Sequence, residues 1–400
     1  MQGPMISPLL GREKLRRSLI ERLGNRELLG ELRCLPSPEQ IPRFNFASND
    51  YLGLGKRKVL GVPISSTGSR LLTGNHHSII SIEKEMADFF QTESALMFAS
   101  GFEANVGIMS SLPQEKDVIL FDEYVHASLR EGIRLSKAKG LPFRHNDLEH
   151  LERRLLAQES NVFVVVESVY SMDGDLAPLR DIVDLCDQWG AILIVDEAHG
   201  TGLYGPHGEG RVIEEGLGNR IPLRVHTFGK SLGLQGGCVV GDEDVKVFLS
   251  NFCKEFIYTT APSPLLCELL KEQLQTMAED HRGRQKLRDS VGFFKRQFLA
   301  MGLDRYYDFP RILLENFSPI IPLYLKPQEE APNKQNLKDL SLFLKRRGIL
   351  ALPILSPTVP RGKERLRLSF SAMDTEPDDG RGAIKWLLQS LEDFASGEVQ

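Results

Sequence analysis

The run Thr227-Phe228-Gly229-Lys230-Ser231-Leu232-Gly233 sets a lysine directly after a glycine, close behind a small hydroxylated residue and ahead of the apolar Gly237-Cys238-Val239-Val240. An amine in so compact a turn can approach a bound carbonyl closely, which makes Lys230 a candidate for Schiff-base chemistry. A second run, Val195-Asp196-Glu197-Ala198-His199, ends an aliphatic stretch on a carboxylate and places an imidazole three residues further on.

Nucleotide-binding readings of these residues fail on spacing. Gly229-Lys230-Ser231 could close a P-loop only with a glycine at position 224, where the chain has Arg224. The acidic Asp196-Glu197-Ala198-His199 also precedes the lysine, the reverse of the order an ATP-dependent helicase needs. Gly200 to Gly205 matches Gly-x-Gly-x-x-Gly, but the chain continues Pro206-His207-Gly208-Glu209-Gly210 where a dinucleotide site requires a helix. A metal on Asp196, His199 and His207 has no second ligand cluster to support it, so no metal is expected. Pyridoxal phosphate (PLP) accounts for more of the residues. It needs a lysine, a buried carboxylate that keeps the pyridine nitrogen protonated, donors for the ring oxygen and the phosphate, and a flat group over the ring. Lys230, Asp196, His199, the Gly101-Phe102 pair and His126 fill these places in turn.

The elements around them point to the same end of one sheet. Residues 95–98 read as a strand that runs into Ser100-Gly101-Phe102, with a helix beginning at Glu103, so free backbone N–H groups face a potential phosphate. Residues 118–121 form a strand followed by a loop to His126 and a helix through Lys137. The aliphatic runs 162–166 and 192–195 end at Glu167 and Asp196. Strands alternating with helices predict an α/β fold with a mostly parallel central sheet and helices on both faces. Ligands of such sheets bind beyond the carboxyl ends of the strands, where Gly101, His126, Glu167, Asp196 and Lys230 all fall. A helix over 79–90 carries Glu83 and Glu85 among its polar positions. Residues 1–50 read as an amphipathic helix and an extended arm, 51–285 as the large cofactor-binding domain, and 286–400 as a smaller α+β domain with strands near 319–325 and 366–370.

The chain has 400 residues, 41% of them hydrophobic, and a formal net charge of -5, which argues against bulk electrostatic attachment to nucleic acid. Its five cysteines form no Cys-x-x-Cys pair and are odd in number, which fits a reducing cytoplasm. The longest aliphatic runs are strand-sized, so no membrane span is expected.

From about Phe44 to Ala372 the chain resembles the α-oxoamine synthase family of PLP enzymes, within the fold-type I, aminotransferase-like superfamily. The likeness rests on Ser48-Asn-Asp-Tyr-Leu-Gly-Leu, Ser100-Gly-Phe-Glu-Ala-Asn, His126-Ala-Ser-Leu, His145-Asn-Asp, Ser171-Met-Asp-Gly-Asp, Asp196-Glu-Ala-His-Gly-Thr-Gly, Thr227-Phe-Gly-Lys, Ile257-Tyr-Thr-Thr, Pro357-Thr-Val-Pro and Arg365-Leu-Arg-Leu, in that order. The resemblance implies that Lys230 bonds the cofactor, Asp196 pairs with the pyridine nitrogen, His126 stacks on the ring and His199 bonds its oxygen. It implies that Ser171 and Thr227 contact the cofactor or its phosphate, and that Thr259 and Thr260 reach the phosphate of a neighbouring subunit in a homodimer. Arg367 would hold an amino-acid carboxylate through a two-pronged contact, and Asn49, Glu167 and Thr358 would line the substrate side. The implied reaction is a decarboxylating condensation of an amino acid with an acyl thioester: alanine with pimeloyl-CoA or pimeloyl carrier protein, a step of biotin synthesis. Glycine acetyl transfer, 5-aminolevulinate synthesis and serine palmitoyl transfer are the alternatives within the family. Ser65-Ser66-Thr67-Gly68 and Leu355 depart from the family pattern where the acyl substrate is expected. Arg26 and Arg33 are the cations that could meet a terminal acyl carboxylate.

Overall fold

A computed structural model describes residues 10–28, 32, 58–59, 61–326, 337–356, 358–372 and 381–397. Asn49, Arg33 and the expected extended arm lie outside the described residues. The chain divides into two compact units, one of residues 1–168 and 177–279, the other of residues 169–176 and 280–400.

Strands of the first unit are β1 (Lys58–Val59), β2 (Val62–Pro63), β3 (Ser94–Phe98), β4 (Val118–Asp122), β5 (Lys139–Phe143), β6 (Val162–Glu167), β7 (Ile192–Asp196), β8 (Leu223–Thr227) and β9 (Gly237–Gly241). All but the first two form a seven-stranded sheet in the order β3-β9-β8-β7-β6-β4-β5. Every pairing is parallel except those of β9, which runs antiparallel to both β3 and β8. Its residues are buried along their whole length, as are those of β3, β6 and β7. Continuous burial explains why these strands read as unbroken apolar runs rather than alternating ones.

Helices on the sheet include α1 (Leu10–Leu28), α2 (His77–Phe89), α3 (Gly101–Ser111) and α4 (Ala127–Leu135). Leu15 and Leu19 of α1 join the same apolar cluster as Ile194 of β7 and Phe248, so the N-terminal helix belongs to this unit's core. On α2, Glu83 is buried rather than solvated, because Arg70 forms an ion pair with it at 2.6 Å. Two strands of the seven-stranded sheet carried too weak a sequence signal to be expected. The run Lys-Gly-Leu-Pro-Phe of β5 is edge-like and partly exposed, which explains its glycine and proline, and β8 buries Arg224 and His226 among its apolar residues.

The second unit holds a four-stranded antiparallel sheet ordered β10-β11-β13-β12, made of β10 (Tyr307–Asp308), β11 (Ile320–Leu325), β12 (Leu352–Ile354) and β13 (Arg365–Ser369). Phe294, Phe298, Phe309 and Phe370 pack as an aromatic group in this unit. The loop 169–176 is pinned to the same sheet. Gly174 takes φ of +71°, and a Cβ there would stand 2.2 Å from the Ile320 carbonyl oxygen, so only glycine fits. Among the described residues, no helix is long and apolar enough to cross a membrane.

Candidate active site

Strand register gathers the chemistry at the carboxyl ends of the first unit's sheet. Glu167 lies opposite Asp196, Asp196 opposite Val225, and Thr227 opposite Gly237. Asp196 is 4% exposed. Its Oδ1 accepts the backbone N–H of Ala198 at 2.8 Å, and its Oδ2 accepts from Asn105 Nδ2 at 2.7 Å. The same Asn105 nitrogen donates to Ser128 Oγ at 3.0 Å, and Ser128 Oγ lies 2.7 Å from His126 Nδ1. His126 caps α4, its Nδ1 also accepting the Ser128 N–H at 3.2 Å. Burial pushes the His126 imidazole below its ordinary value, nearby Lys230 adds to the fall and Asp196 opposes it. Asp196, His126 and Lys230 thus share one electrostatic environment although they stand on three different segments of the chain.

A pocket for a phosphate is built from small residues. Ser100 caps α3 by accepting the N–H of Glu103, so the N–H groups of Gly101 and Phe102 stand at the orphan end of the helix. A Cβ on Gly101 would lie 2.1 Å from Thr227 Cγ2, and one on Gly237 would lie 2.8 Å from the Gly101 nitrogen. Side chains are therefore excluded where β9, β8 and α3 converge, and backbone is left to face a ligand. Thr227 Oγ1 is buried without a hydrogen-bond partner among the described residues. A ligand oxygen beside Gly101 would satisfy it, and this fits the phosphate of PLP.

Lys230 lies in the exposed turn joining β8 to β9, closed by Gly233 N–H to the Lys230 carbonyl at 3.0 Å and Leu234 N–H to the Phe228 carbonyl at 2.8 Å. Ser231 Oγ donates to the Thr201 carbonyl at 2.8 Å, which ties this turn to the loop after Asp196. His199 is half-buried in that loop. Phe102 is half exposed, Thr259 is half-buried and Thr260 is exposed, both threonines in the segment after a short helix that ends at Ile257.

Ser171, Arg367 and Thr358 belong to the second unit. Arg367 Nε donates to the Ser171 carbonyl at 2.7 Å, and its Nη1 donates to Ser369 Oγ at 2.6 Å. Burial lowers the Arg367 guanidinium below its usual value. Arg365 pairs with Asp173, which also accepts from Tyr324 Oη at 2.8 Å, so the Ser171 loop is anchored on both sides. Thr358 is exposed in the turn after β12.

Two residues of this arrangement, Asn105 and Ser128, were not singled out from sequence. The available signal was periodicity: Asn105 stands one helical turn after Gly101, on the buried stretch of an otherwise small and apolar helix. The glycine-rich run 200–210 has a different role. It wraps the buried Glu197, whose carboxylate accepts from Ser168 Oγ at 2.5 Å and from the Val212 N–H at 2.6 Å. Burial raises the Glu197 carboxyl. A Cβ on Gly200 or Gly210 would strike that carboxylate, which accounts for those two glycines without a dinucleotide.

Comparison with known proteins gives a consistent result. The family model for class I and II aminotransferases matches residues 41–379. The chain is 38% identical over 365 residues to a putative 8-amino-7-oxononanoate synthase of Bacillus licheniformis, covering 88% of this chain and 92% of that one. Among solved structures, a serine palmitoyltransferase variant from S. paucimobilis with bound PLP-myriocin aldimine matches with a TM-score of 0.75 and 26% identity, over 96% of this chain and 98% of the other. The 8-amino-7-oxononanoate synthase of Francisella tularensis matches with a TM-score of 0.65 and 26% identity, over 81% of this chain and 89% of that one.

Proposed function

The chain belongs to the class I and II aminotransferase family and, within it, to the PLP-dependent α-oxoamine synthases, and from this membership we infer that it condenses L-alanine with a pimeloyl thioester. The products are 8-amino-7-oxononanoate, carbon dioxide and the free thiol of coenzyme A or a carrier protein. The observation that carries this reading is the buried carboxylate of Asp196, joined by hydrogen bonds to the His126 side of the site and set beside the Lys230 turn.

When bound, PLP supplies an electron sink for charge that develops at the amino acid's Cα. Asp196 would hold a proton on the pyridine nitrogen through its carboxylate. Lys230 Nζ would hold the cofactor and would move the proton at the alanine Cα. The N–H groups of Gly101 and Phe102, with Thr227 Oγ1, would bind the phosphate, and Ser171 would assist. His126 would cover the ring and exclude water from it, while His199 would donate to its oxygen. Arg367 forks the substrate carboxylate before it leaves as carbon dioxide. Glu167, Thr358 and Asn49 line the substrate side. Thr259 and Thr260 reach the phosphate of a second copy, so the working form is a homodimer, and it works in the cytoplasm.

The test is product identification by mass after incubating the PLP-loaded protein with alanine or glycine and a panel of acyl thioesters. Alanine with pimeloyl-CoA or pimeloyl carrier protein should yield the nine-carbon aminoketone acid. A product formed only from glycine with an acetyl or succinyl thioester would overturn the substrate assignment.

A further inference from the structure

The hydrogen-bonded series from Asp196 to His126 favours one assignment of protons. Asn105 is 2% exposed and Ser128 is fully buried, so neither takes its partners from bulk water. If the Asn105 amide were turned over, its oxygen would face the Asp196 Oδ2 at 2.7 Å, oxygen against carboxylate. The nitrogen must face it, and this NH₂ group can only donate. Ser128 Oγ therefore accepts from Asn105 at 3.0 Å, and its own proton can be given to His126 Nδ1, 2.7 Å away. The Ser128 backbone N–H points at the same Nδ1 from 3.2 Å. Two donors on one ring nitrogen leave that nitrogen unprotonated.

We propose that Asn105 and Ser128 are positioning residues that hold His126 as the neutral tautomer with its proton on Nε2, and so fix both the ring's plane and what it can offer a substrate. This rests on the reading of Asp196 and His126 as parts of the PLP site. A ring so held can give a hydrogen bond through Nε2 to an anionic oxygen. Burial disfavours its cationic form. Without cofactor, the charged groups that bear on the ring are the Asp196 carboxylate from β7 and the Lys230 ammonium from the β8–β9 turn, and burial outweighs the attraction of the first.

The experiment is long-range proton-nitrogen NMR on the PLP-loaded protein with ring-¹⁵N histidine, the His126 signal being assigned by its absence in His126→Asn. At pH 7 the His126 signal should show a protonated Nε2 and a bare Nδ1. Ser128→Ala removes one of the two donors and should raise the pH at which the ring takes a second proton by about half to one unit, and Ser128→Thr should restore it. Asn105→Ala, which frees the Ser128 hydroxyl to turn, should move it the same way by less. A proton on Nδ1 in the wild type, or a doubly protonated ring at pH 7, would overturn the proposal. So would a midpoint that does not move in Ser128→Ala. Where a variant fails to fold, the wild-type tautomer still decides. None of these measurements needs an acyl substrate, so a different outcome in product analysis leaves this test standing.

Discussion

Two buried polar clusters in the first unit have opposite bookkeeping of donors and acceptors. In one, Arg70 donates through Nη1 and Nη2 to the two oxygens of Glu83, at 2.6 and 3.1 Å, and through Nε to Asn75 at 2.9 Å. Glu83 also accepts the Met97 N–H at 2.9 Å and has Lys246 Nζ 3.6 Å away. Burial alone would raise the Glu83 carboxyl, but Arg70, Lys246 and the hydrogen bonds outweigh it and hold it below the usual carboxylate value. In the other cluster, around Asp196, Thr227 Oγ1 and Asn105 Oδ1 are buried with no partner among the described residues. A saturated cluster has nothing left to bind with and serves the fold. An unsaturated one carries a standing cost that a ligand can remove.

The largest effect separating the two should come from Lys230→Ala. Its side chain sits in an exposed turn, so the melting temperature of the protein without cofactor should change little while turnover falls below detection. Borohydride reduction of the PLP-loaded wild type should fix the cofactor to the peptide carrying Lys230. A label on another lysine would remove Lys230 from the site.

Glu83→Ala should reverse that pattern. It leaves the Arg70 guanidinium buried without its counter-charge, which costs about 3–5 kcal/mol of stability, read from denaturant titration. The folded fraction should keep its kcat. A stability loss under about 1 kcal/mol would show that this cluster is not structural in the sense argued.

Asp196→Asn lies between them. It should lower kcat by about a hundredfold to a thousandfold, as for other lost preorganised electrostatic contacts. The stability cost, about 1–2 kcal/mol, comes from facing one new amide N–H toward Asn105 and should be smaller than that of Glu83→Ala. Wild-type kcat in Asp196→Asn would break the comparison from the other side.

The smallest effect is one of pH. Because the folded Glu83 carboxyl is held below its unfolded value, its stabilisation is present above the unfolded value and is lost as pH falls through the folded one. As pH falls below about 4 the wild type should therefore lose stability more steeply than Glu83→Gln, as calorimetric melting temperatures would record. Equal slopes would show that Glu83 is not depressed.

Much of this site was legible in the residues because the signals are local. Aliphatic runs that stop at Glu167 and Asp196 mark buried strand ends, and Ser100 followed by Gly101 marks a helix start. The Gly-Lys turn before Gly237 marks a tight reversal. Each is decided by backbone propensity and burial within about ten residues, so the alternating α/β class and the placing of Lys230, His126 and Asp196 at the strands' carboxyl ends follow from sequence alone. The same local reading left Glu83 on a polar helix face and passed over Asn105 and Ser128.

What only the tertiary structure decided involves pairs far apart in the chain. Asn105 meets Asp196 across 91 positions, and Arg365 meets Asp173 across 192. The insertion of β9 between β3 and β8 in reversed direction brings Gly237 against Gly101, a contact that neither segment's composition announces. Residues 169–176 leave the strand that precedes them and group with the second unit, carrying Ser171 with them. A carboxylate, an amide or an arginine looks the same in sequence whether it is solvated or buried, because its role depends on which partner the folded chain delivers to it, and that partner is chosen by strand order and helix packing over the whole domain.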